Sequence, residues 1–156
     1  MTRSGSTSDR PIALEPVGKD NWAAILALEL LPEQQEYVAS NAESLAEAKQ
    51  DEEAIARAVV SAGRVVGFLM YSAPKDDDEA IIYRFMIDRR EQGKGFGRAA
   101  VAKALEEIAK RGHVRRVLIC YEQENEAARR LYAGFGFVEQ GPDEDDEMIA
   151  VLELGG

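Results

Sequence analysis

Cysteine is almost missing from this chain of 156 residues. Cys120 is its single thiol, so no internal disulfide can form, and a reducing cytoplasm is the expected setting. A lone histidine, His113, leaves no Cys/His set with metal-ligand spacing, and no metal is expected. Apolar residues never run for the roughly 18–20 positions of a membrane-crossing helix. The polar opening MTRSGSTSDR lacks the apolar core of a signal peptide. Residues 1–10 read as a flexible tail or expression remnant ahead of a single domain over 11–156, long enough for a real core. Positive charge is scarce too: 19 Lys/Arg stand against 29 Asp/Glu, a net charge of −10. Most of such a surface repels a polyanion, which argues against nucleic-acid binding. GxxxxGK[ST] does not occur, which excludes a P-loop.

The scarcity of positive charge is uneven. Residues 84–130 hold 12 Lys/Arg and 7 Asp/Glu, whereas the remainder holds 7 and 22. A basic middle on an acidic chain points to an anionic ligand at the middle and a cationic partner elsewhere.

Periodicity predicts the element order. A first strand covers 12–17. A helix follows over 19–30, with Asp20 or Asn21 as its cap, Trp22 as a core anchor and Pro32 as its stop. Ser40 and Glu43, in capping-box spacing, open a second helix. Residues 54–73 read as a hairpin turning at SAGR, since Val59, Val60, Val65, Val66 and Phe68 favour strands. The strongest strand, AIIYRFMID, spans 80–88. A glycine stretch and an amphipathic helix closed by Gly112 come next. VRRVLICYE is a further strand, and Asn125 caps a short helix running into a strand at Phe137. GPDEDDE is a turn, and MIAVLEL reads as an edge strand. The sum is a mixed α/β sheet with one strand–helix–strand unit at its centre.

The stretch EQGKGFGRAA, residues 91–100, puts three glycines between the best strand and the best helix. The first N–H groups of a helix have no internal partners, and its dipole favours anions there. Glycines let that backbone approach a phosphate where a Cβ would clash. Lys94 and Arg98 add charge. A Rossmann turn fits less well: Gly93, Gly95 and Gly97 are spaced GxGxG, not GxGxxG. Glu122 does follow about 25 residues on, like the ribose-binding acid of that fold. A nucleotide-binding domain of that type therefore stays as an alternative.

Gln92-Gly93-Lys94-Gly95-Phe96-Gly97 resembles the Q/R-x-x-G-x-G/A signature of the GCN5-related N-acetyltransferase (GNAT) superfamily. Asn125-Glu126-Ala127-Ala128-Arg129-Arg130-Leu131-Tyr132, followed by GFGF, resembles that family's N-x-x-A-x-x-x-Y…G-F segment. QEYVASNAESLAEA and RFMIDRREQGKG look like a bacterial subgroup similar to diamine (spermidine/spermine) acetyltransferases. The resemblance implies a mostly antiparallel sheet with one splayed parallel strand pair, flanked by helices. It implies acetyl-CoA as donor and a primary amine of a small cationic molecule, a polyamine among the candidates, as acceptor. The backbone of Gln92, Gly93, Lys94, Gly95, Phe96 and Gly97 would hold the pyrophosphate, beside Arg98 and with Asn125, Ala128 and Arg129. Phe85, Met86 and Ile87 would splay from Cys120–Tyr121 and grip the pantetheine arm like one more strand. One amide there would polarise the thioester carbonyl. Glu36, Tyr37, Asn41 and Glu122 are the expected acceptor contacts. Similar proteins are commonly dimers, so a homodimer is expected as well. A non-catalytic acyl-CoA-binding module is the other alternative.

The chemistry needs a neutral amine. An alkyl ammonium with a pKa of about 10.4 is roughly 0.1% neutral near physiological pH, and deprotonating it costs about 4 kcal/mol. Tyr132, on one helix side with Asn125 and Ala128, is the candidate acid for the departing thiolate. In the diamine branch a glutamate commonly stands where Tyr83 stands here, and a neutral phenol is a poor base. Glu36 and Glu122 are the replacements considered. His113 reads as a loop residue and Cys120 as a small buried hydrophobe, and direct transfer within a ternary complex needs neither.

Overall fold

The computed structural model describes residues 12–29 and 54–154. Among these residues seven strands form one sheet: β1 (Ala13–Pro16), β2 (Ala54–Ser61), β3 (Arg64–Ser72), β4 (Glu79–Ile87), β5 (Arg116–Glu122), β6 (Val138–Pro142) and β7 (Glu147–Glu153). Their spatial order is β1-β2-β3-β4-β5-β7-β6. Every neighbouring pair is antiparallel except β4 and β5. Parallel strands need a crossover connection, and α2 (Phe96–Ala109) supplies it. Among the described residues the other α-helices are α1 (Trp22–Leu26) and α3 (Glu126–Ala133).

The alternation of β3 sorts the core onto two faces. Leu69 and Tyr71, joined by Val66 across the bulge opposite Val59–Val60, point to the face where α2 lays Phe96, Ala100, Ala104 and Ile108, a helical stripe on every turn. Phe68 and Met70 point to the other face, under Ile25 of α1, with Trp22 partly buried beside them. Sheet and helix are also braced by polar groups. The Tyr71 hydroxyl donates to Glu107 of α2, whose carboxylate also takes Arg57 Nε at 3.1 Å.

The β2–β3 hairpin turns on Ala62 and Gly63, both with positive φ, at the expected SAGR. Three expectations need correcting. The first helix ends at Leu26, not near residue 30, because the Glu29 N–H donates to Asp88 Oδ1 at 2.8 Å and its C=O accepts from the Arg89 N–H. Asn21 stands at the cap position but turns its amide back instead, accepting from Gly18 N–H and donating to the Pro16 C=O. MIAVLEL is not an edge strand: β7 lies between β5 and β6, paired along its length with β5, and β6 takes the edge. The tail over 1–10, Pro32 and the helix opened by Ser40 and Glu43 lie outside the described residues.

Candidate active site

The centre of the sheet is split. The β4–β5 ladder runs from Glu79↔Arg116 to Ile82↔Ile119 and stops, while β4 continues to Ile87 and β5 to Glu122. The cause is local. Tyr71 pairs with Ile82 and Met70 with Arg84, so Tyr83 is one residue too many for β3. Such a bulge bends and twists its strand, and here it does so immediately after the last residue shared with β5. Beyond it, Phe85, Met86 and Ile87 stay paired with β3 through Leu69, Phe68 and Gly67. Their facing edge and that of Cys120–Glu122 no longer share a ladder. An extended ligand can lie between them as an added strand does. The Tyr83 ring packs on the α1 face, with the Arg84 guanidinium 5.5 Å above it.

The glycine loop sits at the wide end of this split. Asp88 closes β4 and caps the short 3₁₀ turn Arg89–Glu91, accepting from the Arg90 N–H. Burial opposes ionisation of Asp88. The Arg90 guanidinium and the amides of Glu29 and Arg90 outweigh it and hold the carboxyl below its ordinary range. Glu91 is buried and accepts from Arg64 and, at 3.1 Å, from Lys94 Nζ; these cations, Arg64 above all, hold its pKa down. Lys94 is thus tied to Glu91, and the trio carries one net positive charge. Gln92 Nε2 donates to the Ile87 C=O at 2.9 Å and folds the loop back on β4. Gly93 and Gly95 adopt left-handed φ of 81° and 87°, conformations that cost a side-chain-bearing residue about 1–2 kcal/mol. Gly95 is the N-cap of α2 and no side chain caps that helix, whereas Asn125 caps α3 by accepting from the Ala128 N–H at 3.2 Å. The buried Phe96 anchors the first turn of α2. Gly97 follows where an added Cβ would lie 3.9 Å from both Ile87 and Phe85. Arg98 is exposed, its guanidinium 5.2 Å above the Phe135 ring.

Tyr132 lies on the α2–α3 face, buried between Tyr121 of β5, with ring centroids 5.6 Å apart, and Phe137 at 5.8 Å. Burial first, then the neighbouring phenol, pushes its pKa well up, so it holds its proton at neutral pH. Tyr121 is pushed up to about 12 by burial and by its hydrogen bond to Glu139. Arg129, expected among the cofactor contacts, is held by Glu139 at 2.8 Å and Glu126 at 3.2 Å.

The opposite face of the split is acidic. Leu118, Cys120 and Glu122 alternate away from the buried Val117, Ile119 and Tyr121. Cys120 Sγ and the carboxylates of Asp143 and Glu147 lie within 4.8 Å of one another, and Glu122 pairs with Glu147 in register. Burial, then Asp143, Glu122 and Asp145, raises the Glu147 pKa against the opposing pull of Arg84. The Cys120 thiol is raised by burial, Asp143 and Glu147, which keeps it protonated and poorly nucleophilic. His113 Nε2 meets the Pro74 C=O at 3.0 Å, away from both faces of the split. Glu36, Tyr37 and Asn41 lie outside the described residues. Sequence reasoning missed Glu139, whose partners Tyr121 and Arg129 sit on β5 and α3.

Among the described residues no helix is long and apolar enough to cross a membrane. Residues 20–137 match the acetyltransferase (GNAT) family. The spermine/spermidine N(1)-acetyltransferase of Bacillus subtilis strain 168 is 33% identical over 150 residues, which cover 92% of this chain and 99% of that one. The crystal structure of spermidine N-acetyltransferase from Vibrio cholerae, in complex with CoA and spermine, shares the fold. Its TM-score is 0.75 at 19% identity, over 91% of this chain and 95% of that one. The ribosomal-protein-S18-alanine N-acetyltransferase of Escherichia coli shares it too, with a TM-score of 0.71 at 22% identity over 94% and 97%. With the split strand pair and the glycine loop in place, these matches make the chain a member of the acetyltransferase (GNAT) family, an enzyme that takes its acetyl group from acetyl-CoA.

Proposed function

We propose that the enzyme acetylates a primary amine of a polyamine by direct transfer in a ternary complex. The observation that carries this reading is the acidic group of Glu122, Asp143 and Glu147 around Cys120, at the end of the split. A polycation is drawn to such a group over several ångströms. The likeness to the B. subtilis spermine/spermidine acetyltransferase supports the same acceptor class.

The residues fit acetyl-CoA. The α2 N-terminus, capped by no side chain, and the left-handed Gly93 and Gly95 suit its pyrophosphate, with Arg98 beside it. Backbone of Phe85, Met86 and Ile87 would take the pantetheine arm, with Asn125 and Ala128 positioning the start of α3. Bound there, the cofactor supplies an acyl group activated as a thioester. Tyr132 holds a proton for the sulfur on the α2–α3 face. The acids on the other face hold the ammonium ends of the acceptor, and Glu122 lowers the cost of deprotonating the reacting nitrogen. Glu36, Tyr37 and Asn41 complete the acceptor side in this reading. Tyr83 shapes the bulge.

The reading includes a single acetyltransferase domain over 11–156, a cytoplasmic setting and a homodimer, the last checked by light scattering. Release of free thiol with a panel of amines tests the rest. Spermidine and spermine should turn over faster than monoamines or amino acids, and their KM should rise with salt. A preference for neutral or anionic acceptors, or a flat salt response, overturns it.

A further inference from the structure

We propose that Glu139, a residue of the edge strand β6, is a positioning residue for Tyr132. The inference rests on the reading of Tyr132 as the acid.

One oxygen does two jobs. Glu139 Oε2 accepts from the Tyr121 hydroxyl at 2.6 Å and from Arg129 Nε at 2.8 Å. These partners brace Tyr132 from two directions. Arg129 stands three residues before Tyr132, one turn back on α3, so fixing its guanidinium against β6 fixes the azimuth of the helix. Tyr121 projects from β5, and its ring lies tilted against that of Tyr132 at 5.6 Å. Phe137, just ahead of β6, closes the remaining side at 5.8 Å. A phenol that must present its O–H to a sulfur atom has one freedom left once its ring is packed, the orientation of its helix relative to the sheet. Glu139 links that helix to the strand beside it.

The network sets one cation, Arg129, between two carboxylates, Glu139 and Glu126. Tyr121 and Arg129 hold the Glu139 carboxylate below its ordinary range, the hydrogen bond from Tyr121 contributing most. Glu126 adds a second acid to Arg129 at 3.2 Å. Glu139 is therefore ionised at neutral pH. Both donors point at it, and neither hydrogen bond requires a proton to move during turnover.

The test uses the full chain and four variants, Glu139→Ala, Glu139→Gln, Tyr121→Phe and Tyr132→Phe, with Glu139→Ala also built on Tyr132→Phe. Glu139→Ala should lower kcat about ten- to a hundredfold, the scale of a small misplacement of a reacting group, with the KM for acetyl-CoA unchanged. Glu139→Gln, which keeps an acceptor oxygen at the same place, should restore most of that loss. Tyr121→Phe, which keeps the ring but drops the hydroxyl, should fall between them. On the Tyr132→Phe background Glu139→Ala should have no further effect on kcat, because the group it positions is gone. An equal loss on both backgrounds assigns Glu139 a merely structural role and overturns the proposal, as does an unchanged kcat in Glu139→Ala. Should Glu139→Ala fail to fold, an unchanged kcat in both Glu139→Gln and Tyr121→Phe decides against it. Unchanged turnover in Tyr132→Phe alone rejects the acid assignment itself and this inference with it, a result legible without any Glu139 variant.

Discussion

Glu122 and Glu147 face each other across the β5–β7 ladder, two carboxylates at one register position. Like charges directly opposite are destabilising, and burial together with Asp143, Glu122 and Asp145 raises the Glu147 pKa above 4.5. The native state therefore binds a proton more tightly than the unfolded chain. Stability falls as pH rises through the window from 4.5 to the raised value. Glu147→Gln should raise Tm at neutral pH, and the gain should vanish below that window. Melting curves across pH check this; an equal gain at every pH contradicts it. The same variant should raise the KM for spermidine about two- to fivefold, matching roughly 0.5–1 kcal/mol for one partly exposed ion pair.

Gly95 and Gly97 should respond in opposite ways to alanine. At Gly95, with φ at 87°, a side chain is strained, and Gly95→Ala should cost about 1–2 kcal/mol and lower Tm. At Gly97, inside α2, a Cβ meets only ordinary contacts at 3.9–4.0 Å. Alanine there should stabilise by about 0.5–1 kcal/mol and yet raise the KM for acetyl-CoA, because the new methyl enters the space between Phe85, Ile87 and Leu131 beside the expected path of the pantetheine arm. An unchanged KM would place the cofactor's arm elsewhere.

Tyr132→Phe keeps the ring against Tyr121 and Phe137 and removes only the hydroxyl. Loss of a general acid should lower kcat about 10²–10⁴-fold, with little change in the KM for acetyl-CoA. Steady-state kinetics with acetyl-CoA varied at saturating amine separate the two parameters.

Gly67 faces Ile87 at the end of β4, and an added Cβ would fall 2.6 Å from the Met86 C=O and 2.7 Å from Ile87 Cδ1. Backbone must shift to admit it. Gly67→Ala should cost about 1–3 kcal/mol, as overpacking does, and should raise the KM for acetyl-CoA by displacing the strand that lines the split. A Tm equal to that of the parent chain would contradict the packing described.

Legibility followed the range of the interaction. The Ala62–Gly63 turn, the Asn125 cap and the start of α2 are set by neighbours in the chain, and each stands within a residue or two of its expected place. The length of α1 was not legible, because it is decided by Asp88, 59 residues away, taking the Glu29 amide. The interior place of β7 was hidden for a similar reason: an alternating strand reads alike with one neighbour or two. Glu139 carried no signal of its own in the sequence; its partners, 10 and 18 residues back, meet it only once the β6–β7 register is set. The Tyr83 bulge depends on how β3 and β4 count against each other, which neither strand reveals alone.

The outer rims of the described sheet are poor templates for a foreign strand. One is four residues long and ends at Pro16; the other is five and ends at Pro142. Its longer exposed borders are the inner ones, turned toward each other across the split. A stray polypeptide thus meets stunted margins outside and a gap already flanked on both sides within. The fold keeps a strand-shaped slot for its thread-like cofactor while denying fibrous self-association an easy foothold.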